Sequence, residues 1–594
     1  MSATHPTATL KGMTMICSTT RRSRLKPALM ACAAGLSLLA SPAFAQERRV
    51  DGEKILELLV ARGVITQGDA DTIISQAEVA EPAPQQQAAI PPGGVTGDTQ
   101  TIPYIPQTVR NQIKEELRTE LATQASTEGW ARPGEVAEWT KRLTLFGDIR
   151  VRGEGVRMAD GNFNRSIQDF QATNAGGGYD ISPSNLASPP ALNTTEDRYR
   201  ARIRARLGLH ARIDDWITGE VRIATGAERS PVSTNQTLGG NGEFGKYAIW
   251  LDRANIRLTP LPGVDLAFGR FANPFWTSEM LFDEDLNFDG VAASLTYPVT
   301  DRLSVFANAG AFPIFNTDFN FGSTDAGAFS SKDKYLLAGQ LGAEFKPVDD
   351  VRFKLAAGYF RFEKVEGRES SPCFHLQDVC DTDATRPQFM QFGNTVFPIR
   401  NIIPDPIDPQ NSPEVQYFGL ASKYEVLNVH GQLDLGFFSP IGIRLEGDFV
   451  KNLAFNRNRV AALAVNNFSP TTLIPNPDQD PSDLDDDFIS IPGTYDGGDT
   501  GWYANLVVGK PDLAEPGDWR VSLGYRRVET DAVLDAFADS DFHLGGTNAK
   551  GWILGGAYAI GKNTEIGARW LSSDVITGVP YSNDVVQIDL STRF

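Results

Sequence analysis

The sequence predicts an all-β membrane protein, an antiparallel transmembrane β-barrel of about sixteen strands with a small N-terminal α-helical periplasmic region. Three observations predict it: an export leader opens the chain, segments of alternating polarity fill residues 141–594, and short turns alternate with long polar loops between those segments.

The leader comes first. Arg21, Arg22, Arg24 and Lys26 form a positive region, Leu29 to Leu39 an apolar run, and Ala43 and Ala45 an A-x-A cleavage site. Residues 1–45 therefore read as a signal peptide and Gln46 as the mature start; Met13 or Met15 could serve as the initiator. The apolar run is too short to cross a bilayer as a helix. Leu29-Met30-Ala31-Cys32 loosely resembles a lipidation signal, but the apolar run continues past Cys32, which argues against that reading. The 594-residue chain has a formal net charge of −19, and the leader holds five cations and no acids, so the mature chain is more acidic still. Such a chain repels phosphate, and no nucleic-acid partner is expected. Only Cys373 and Cys380 remain after cleavage; in an oxidising compartment a loop disulfide is the default, with a metal pair around His375 the alternative.

Residues 46–78 read as a helical periplasmic segment, with Ile55, Leu58 and Leu59 on one face and Gly63 as a break. Thr66 and Asp69 resemble a capping box that opens a second helix. Residues 79–106 form a Pro/Gln/Gly-rich linker. In 107–140, Val109, Ile113, Leu117 and Leu121 fall four apart among charges, which fits either an amphipathic helix packed on its own chain or a short coiled coil joining subunits.

From Lys141 the period is two. Arg198, Arg200, Arg202, Arg204 and Arg206 alternate with Tyr199, Ala201, Ile203, Ala205 and Leu207. Five arginines on one face of a strand suit a barrel whose other face meets lipid and whose interior holds water. The same alternation recurs at Val351–Tyr359, Leu427–Leu435, Ile443–Phe449 and Val586–Phe594. Short turns are expected at 212–215, 260–263, 298–301, 347–350, 439–441, 510–518 and 561–563. Long loops are expected near 156–196, 227–244, 273–287, 314–333, 365–424, 453–499, 530–548 and 573–583. A barrel of roughly sixteen strands leaves an aqueous channel, and its even strand number puts both ends of the barrel in the periplasm. Trp216, Trp250, Tyr297, Trp502, Trp519, Tyr525, Trp552 and Trp570 suit interfacial girdles against outer-membrane lipid.

Several motifs carry a resemblance. They are the Glu53–Gly63 helix, Ile102-Pro103-Tyr104-Ile105-Pro106, Glu128-Gly129-Trp130, Phe146-Gly147-Asp148-Ile149-Arg150-Val151-Arg152 and Gly269-Arg270-Phe271-Ala272-Asn273-Pro274-Phe275. As a set they resemble the putative porin family of Gram-negative outer membranes, over nearly all of the mature chain. The resemblance implies a channel for small polar solutes or ions, a homotrimer, and a terminal Phe594 that serves as the barrel-insertion signal. The long N-terminal region and loop 365–424 depart from general porins.

A pore selects by width and by rings of charge. Candidate pore-lining residues are Arg150, Arg152, Arg198, Arg200, Arg202, Arg204, Arg206, Glu220 and Arg222. The third long loop holds Glu279, Asp283, Glu284 and Asp285 and is the candidate constriction loop; in the trimeric porins that the chain resembles, this loop folds into the lumen. Acids on the loop facing arginines on the wall would set up a transverse field. The arginines could instead only stiffen the wall by pairing with Asp148, Glu154 and Glu220, and an arginine ladder also leaves anion preference open. The run Asp478, Asp480, Asp483, Asp485, Asp486 and Asp487 lacks EF-hand spacing and reads as a solvated loop, with Ca²⁺ binding the alternative. Gly556–Asn563 nearly matches a phosphate loop, but ends in Asn and is followed by no helix. The histidines show neither metal spacing nor a nucleophile partner, so no cofactor, metal or enzyme activity is expected. The alternative to a channel is a structural or surface-binding barrel tethered by its periplasmic helices.

Overall fold

The computed structural model describes residues 140–317, 331–475 and 488–594, with seven positions between Lys114 and Thr123 that have helical backbone and exposed side chains. The expectations for 1–45, 46–78 and 79–106, most of that for 107–140, and that for the acidic run 478–487 lie outside the described residues.

Sixteen strands make the barrel. They are β1 (Leu143–Met158), β2 (Arg198–Asp214), β3 (Ile217–Ala224), β4 (Trp250–Leu261), β5 (Val264–Ala272), β6 (Asn287–Thr300), β7 (Leu303–Phe315) and β8 (Lys334–Val348). The second half comprises β9 (Val351–Glu363), β10 (Tyr424–Phe438), β11 (Ile441–Asn452), β12 (Thr500–Gly509), β13 (Trp519–Val528), β14 (Ala549–Gly561), β15 (Thr564–Val575) and β16 (Ser582–Arg593). Each pairs antiparallel with its neighbours in sequence, and β16 pairs back onto β1, from Asp148↔Arg593 to Met158↔Asn583. No open edge is left in the ring, as hydrocarbon requires, because an unpaired backbone group there finds no water.

The seam is finished by the last residue. Phe594 and Gly147 exchange backbone hydrogen bonds of 3.0 Å in both directions. A Cβ at Gly147 would lie 2.5 Å from the Arg206 carbonyl oxygen and 2.7 Å from Phe594 Cζ, so only glycine lets the terminal ring lie across β1.

Side chains on the outer face are apolar and exposed, among them Ile149, Val151, Leu207, Phe353, Leu355 and Ile588. Trp502 stacks on Tyr525 there, with centroids 5.3 Å apart, and Tyr525 meets Trp552 edge to face at 4.9 Å, as an aromatic patch on β12–β14. Inside, the alternation does not lead everywhere to water. Toward the long-loop end the inward positions turn apolar: Phe271, Phe288, Phe312, Phe360, Tyr424 and Val450 are all buried. They form one core with Phe275, Met280 and Phe282 of loop 273–286, Val533 and Leu534 of loop 529–548, and Met390 and Phe418 of loop 364–423. The long loops thus pack into that end of the barrel, because apolar side chains facing inward there need apolar cover.

One carboxylate ties this cover together. Asp531, fully buried, accepts hydrogen bonds from Thr395 Oγ1 (2.6 Å), Tyr424 OH (2.8 Å), Thr530 Oγ1 (2.9 Å) and Tyr495 OH (3.1 Å). Three long loops and β10 meet at this residue. Cys373 and Cys380 are joined as a disulfide within loop 364–423.

Outward alternation has a measurable consequence. Leu355→Arg, near the middle of β9 on the outer face, is expected to lower folding stability in lipid vesicles by about 2–4 kcal/mol. Refolding titrations monitored by circular dichroism would read this loss.

Candidate constriction site

The site begins with the pairing of β1 and β2. In register, Asp148 opposes Arg206, Arg150 opposes Arg204, Arg152 opposes Arg202 and Glu154 opposes Arg200. The outer pairs are complementary. Asp148 accepts from Arg206 Nε at 2.6 Å and Arg204 Nε at 3.0 Å, while Glu154 accepts from Arg200 Nε at 2.5 Å and reaches Arg202 Nη1 at 3.5 Å. The two middle pairs set arginine against arginine, an arrangement that is destabilising unless outside acids intervene.

Loop 273–286 supplies some of those acids. Glu284 Oε1 lies 3.2 Å from Arg204 Nη1 and 3.6 Å from Arg150 Nη1. Asp285 Oδ1 lies 3.0 Å from Arg206 Nη1 and 3.5 Å from Arg204 Nη1, and its other oxygen accepts from the backbone N–H and the hydroxyl of Thr234. Burial alone would raise Asp285, but Arg204 and Arg206 outweigh it and hold the carboxyl below its usual range. The loop's other end is fixed across the lumen. Trp276 N–H donates to Gln340 Oε1 of β8 (2.9 Å), and Ser278 N–H donates to Asp448 Oδ2 of β11 (3.0 Å). Loop 273–286 therefore crosses the barrel interior as a chord from β8 and β11 to β2.

Arg152, 1 % exposed, takes acids from elsewhere: Asp589 on β16 at 2.7 Å and Asp541 of loop 529–548 at 2.8 Å. Asp541 also pairs with Arg569 on β15. Burial opposes its ionisation, but Arg569 and Arg152 prevail and hold it well below the usual carboxylate range. Loop 529–548 sits directly on the chord, with Asp539 N–H donating to the Glu279 carbonyl and Asp283 N–H to the Phe537 carbonyl.

Asp283 faces this second loop, and neither it nor Glu279 makes an ion pair with the arginine row among the described residues. Asp283 accepts from Ser540 N–H at 3.0 Å, and burial together with Asp539 and Glu279 drives its carboxyl well above the usual range. Glu279 is pushed up to about 8, first by enclosure in protein, then by Asp539 and Glu284, with Arg569 and Arg526 opposing. Its side chain still reaches the water of the lumen, lining a polar cavity of about 260 Å³. Six arginines (150, 152, 204, 520, 569 and 593) and five acids (148, 279, 284, 565 and 589) line this space; with the Glu279 carboxyl pushed up to about 8, cations outnumber anions at neutral pH and the space is positive and strongly polarised.

The remaining candidates lie apart from this centre. Arg198 is exposed at the long-loop end of β2, with no ion pair among the described residues. Arg222 pairs with Asp252 at 2.5 Å, and Glu220 accepts from Asn255 (3.0 Å) and Arg253 (3.4 Å); both belong to a network on β3 and β4. Sequence reading missed Asp539, Asp541, Arg526 and Arg569. The two arginines could have been found by extending the inward parity along β13 and β15; the aspartates belong to a loop with no period to mark them.

The model of the family described as putative porin matches residues 51–594. No curated protein matches the sequence. Among solved structures, OprB of Pseudomonas putida at high pH is similar at 12% identity and a TM-score of 0.38, covering 77% of this chain and 95% of that one. The outer membrane channel DcaP of Acinetobacter baumannii is similar at 11% identity and 0.36, covering 76% and 97%. OmpF of Salmonella typhi, in complex with daunomycin, is similar at 10% identity and 0.31, covering 76% and 97%.

Glu279 gives the site a pH signature. Its carboxyl is neutral below about 8 and anionic above, so raising the pH from 6 to 9 adds negative charge beside the arginines. Cation preference in a salt gradient is expected to rise over that window with a midpoint near 8, and Glu279→Gln to flatten the response.

Proposed function

Since the chain belongs to the putative porin family, we propose that it passes small polar solutes or ions by passive diffusion across the outer membrane, with the arginine wall and the third long loop as the constriction. The observation that carries this reading is the chord. Loop 273–286 is anchored at both ends inside a closed sixteen-stranded barrel, and a polar, charge-lined cavity borders it on the side of β1, β2 and β13–β16. A field from fixed opposite charges acts on a passing dipole or ion at little reorganisation cost, because the charges are already oriented. Apolar solutes gain nothing there and must displace water held by those charges. The outer-membrane location and the absence of an enzymatic role fit the family and the fold. A homotrimer, a signal peptide on 1–45 and a role for Phe594 in insertion belong to the same proposal.

One feature favours a second reading, a structural or surface-binding barrel. The long-loop end is packed by loops 364–423 and 529–548, joined through Asp531 and the apolar core.

Planar-bilayer recording separates the two. The channel reading expects discrete conductance steps from the purified protein and a reversal potential that moves toward cation preference in Arg202→Glu. Silent membranes would support the second reading, and an unmoved reversal potential would remove the arginine wall from selectivity. Asp531→Ala, which unties the cover, is expected to raise unit conductance in a channel.

A further inference from the structure

A second cavity, of about 290 Å³, lies at the long-loop end, on the far side of the chord loop from the arginine row. Its size is at the small end of ligand pockets, which run from roughly 300 to 1,000 Å³. Six phenylalanines line it: Phe282, Phe288, Phe312, Phe315, Phe389 and Phe537. They come from β6, β7 and three different long loops, so the walls are assembled by the tertiary fold and not by one hairpin. Phe288 meets Phe312 and Phe282 edge to face, at 5.0 and 5.1 Å, leaving a preformed aromatic surface.

The charges around this surface are unequal. Arg270 pairs with Asp289 at 2.8 Å, so those two cancel. The Lys334 amine donates to the carbonyls of Thr385 (3.0 Å) and Arg386 (2.8 Å), which hold it in place. Arg229 is exposed and has no hydrogen bond or ion pair among the described residues; its neighbour Glu228 is not part of the lining. The remaining acid, Asp535, is 1 % exposed, and its Oδ2 has no hydrogen-bond partner. Burial pushes its carboxyl up to about 8, so it adds little negative charge at neutral pH. The cavity is therefore aromatic, small and positive, with one guanidinium that pairs with none of the described residues.

We propose that this cavity binds a small aromatic carboxylate, its ring against the phenylalanines and its carboxylate on Arg229, ahead of the constriction. The inference deepens the channel reading and rests on it, because it assigns the channel a solute class. A guanidinium holds a carboxylate through two parallel hydrogen bonds, and a ring supplies the apolar contact that a bare anion lacks. Neither acetate nor a neutral aromatic alcohol satisfies both features.

Titration calorimetry on the purified full-length protein tests this without relying on conduction. Benzoate is expected to bind about tenfold tighter than acetate and than benzyl alcohol. In Arg229→Gln, benzoate should weaken to the level of benzyl alcohol, with circular dichroism confirming an intact barrel. Equal binding of benzoate and benzyl alcohol, equal binding of benzoate and acetate, or an unchanged benzoate affinity in Arg229→Gln would each overturn the assignment. Potassium chloride conductance, measured separately, distinguishes the two failures: a conducting protein that ignores benzoate refutes only the cavity, and a silent protein that binds benzoate refutes only the channel.

Discussion

The constraint on which the structure depends is that a backbone amide in hydrocarbon has no water to turn to. Every strand must find two neighbours, so the sheet has to close, and here it closes where β16 meets β1 and Phe594 meets Gly147. Closure at sixteen strands fixes the width of the interior, which is too wide for wall side chains alone to fill. The long loops inherit that interior, and the inward residue types decide how each part of it is occupied.

Toward the long-loop end the inward positions are phenylalanine, valine and tyrosine, and loops 273–286, 364–423 and 529–548 cover them. Further along β1 and β2 the inward positions are arginine and acid, and the space beside them is polar. The barrel therefore holds two environments. Loop 273–286 belongs to both, because Phe282 and Met280 enter the apolar core while Glu284 and Asp285 reach the arginines.

The docking of that loop follows from a local imbalance. Arg150 against Arg204 and Arg152 against Arg202 leave positive charge between β1 and β2 that the acids of β1 only partly meet. Glu284, Asp285, Asp541 and Asp589 complete the balance, two of them from the chord loop, one from loop 529–548 and one from β16. Arginine suits this role better than lysine. Its planar fork can serve two acids at once, as Arg152 does with Asp541 and Asp589. Removing one partner from such a buried network is costly, because it leaves an uncompensated charge.

The sequence by itself determined the strands, their number, the places of the turns and long loops, and the alternation that puts the five arginines on one face of β2. Each of these depends on near neighbours. Alternation at Arg198–Leu207 or Val586–Phe594 is decided by residues one or two apart, and a turn by the few residues within it. Only the tertiary structure decided that the inward face is part aromatic core, that Glu284 and Asp285 pair with the row while Glu279 and Asp283 make no ion pair with it, and that Arg229, beside six phenylalanines, has no ion pair among the described residues. Those outcomes join residues far apart in the chain, 389 positions in the case of Arg152 and Asp541. Loop residues follow no period, so their partners are set by which surfaces the closed barrel brings face to face.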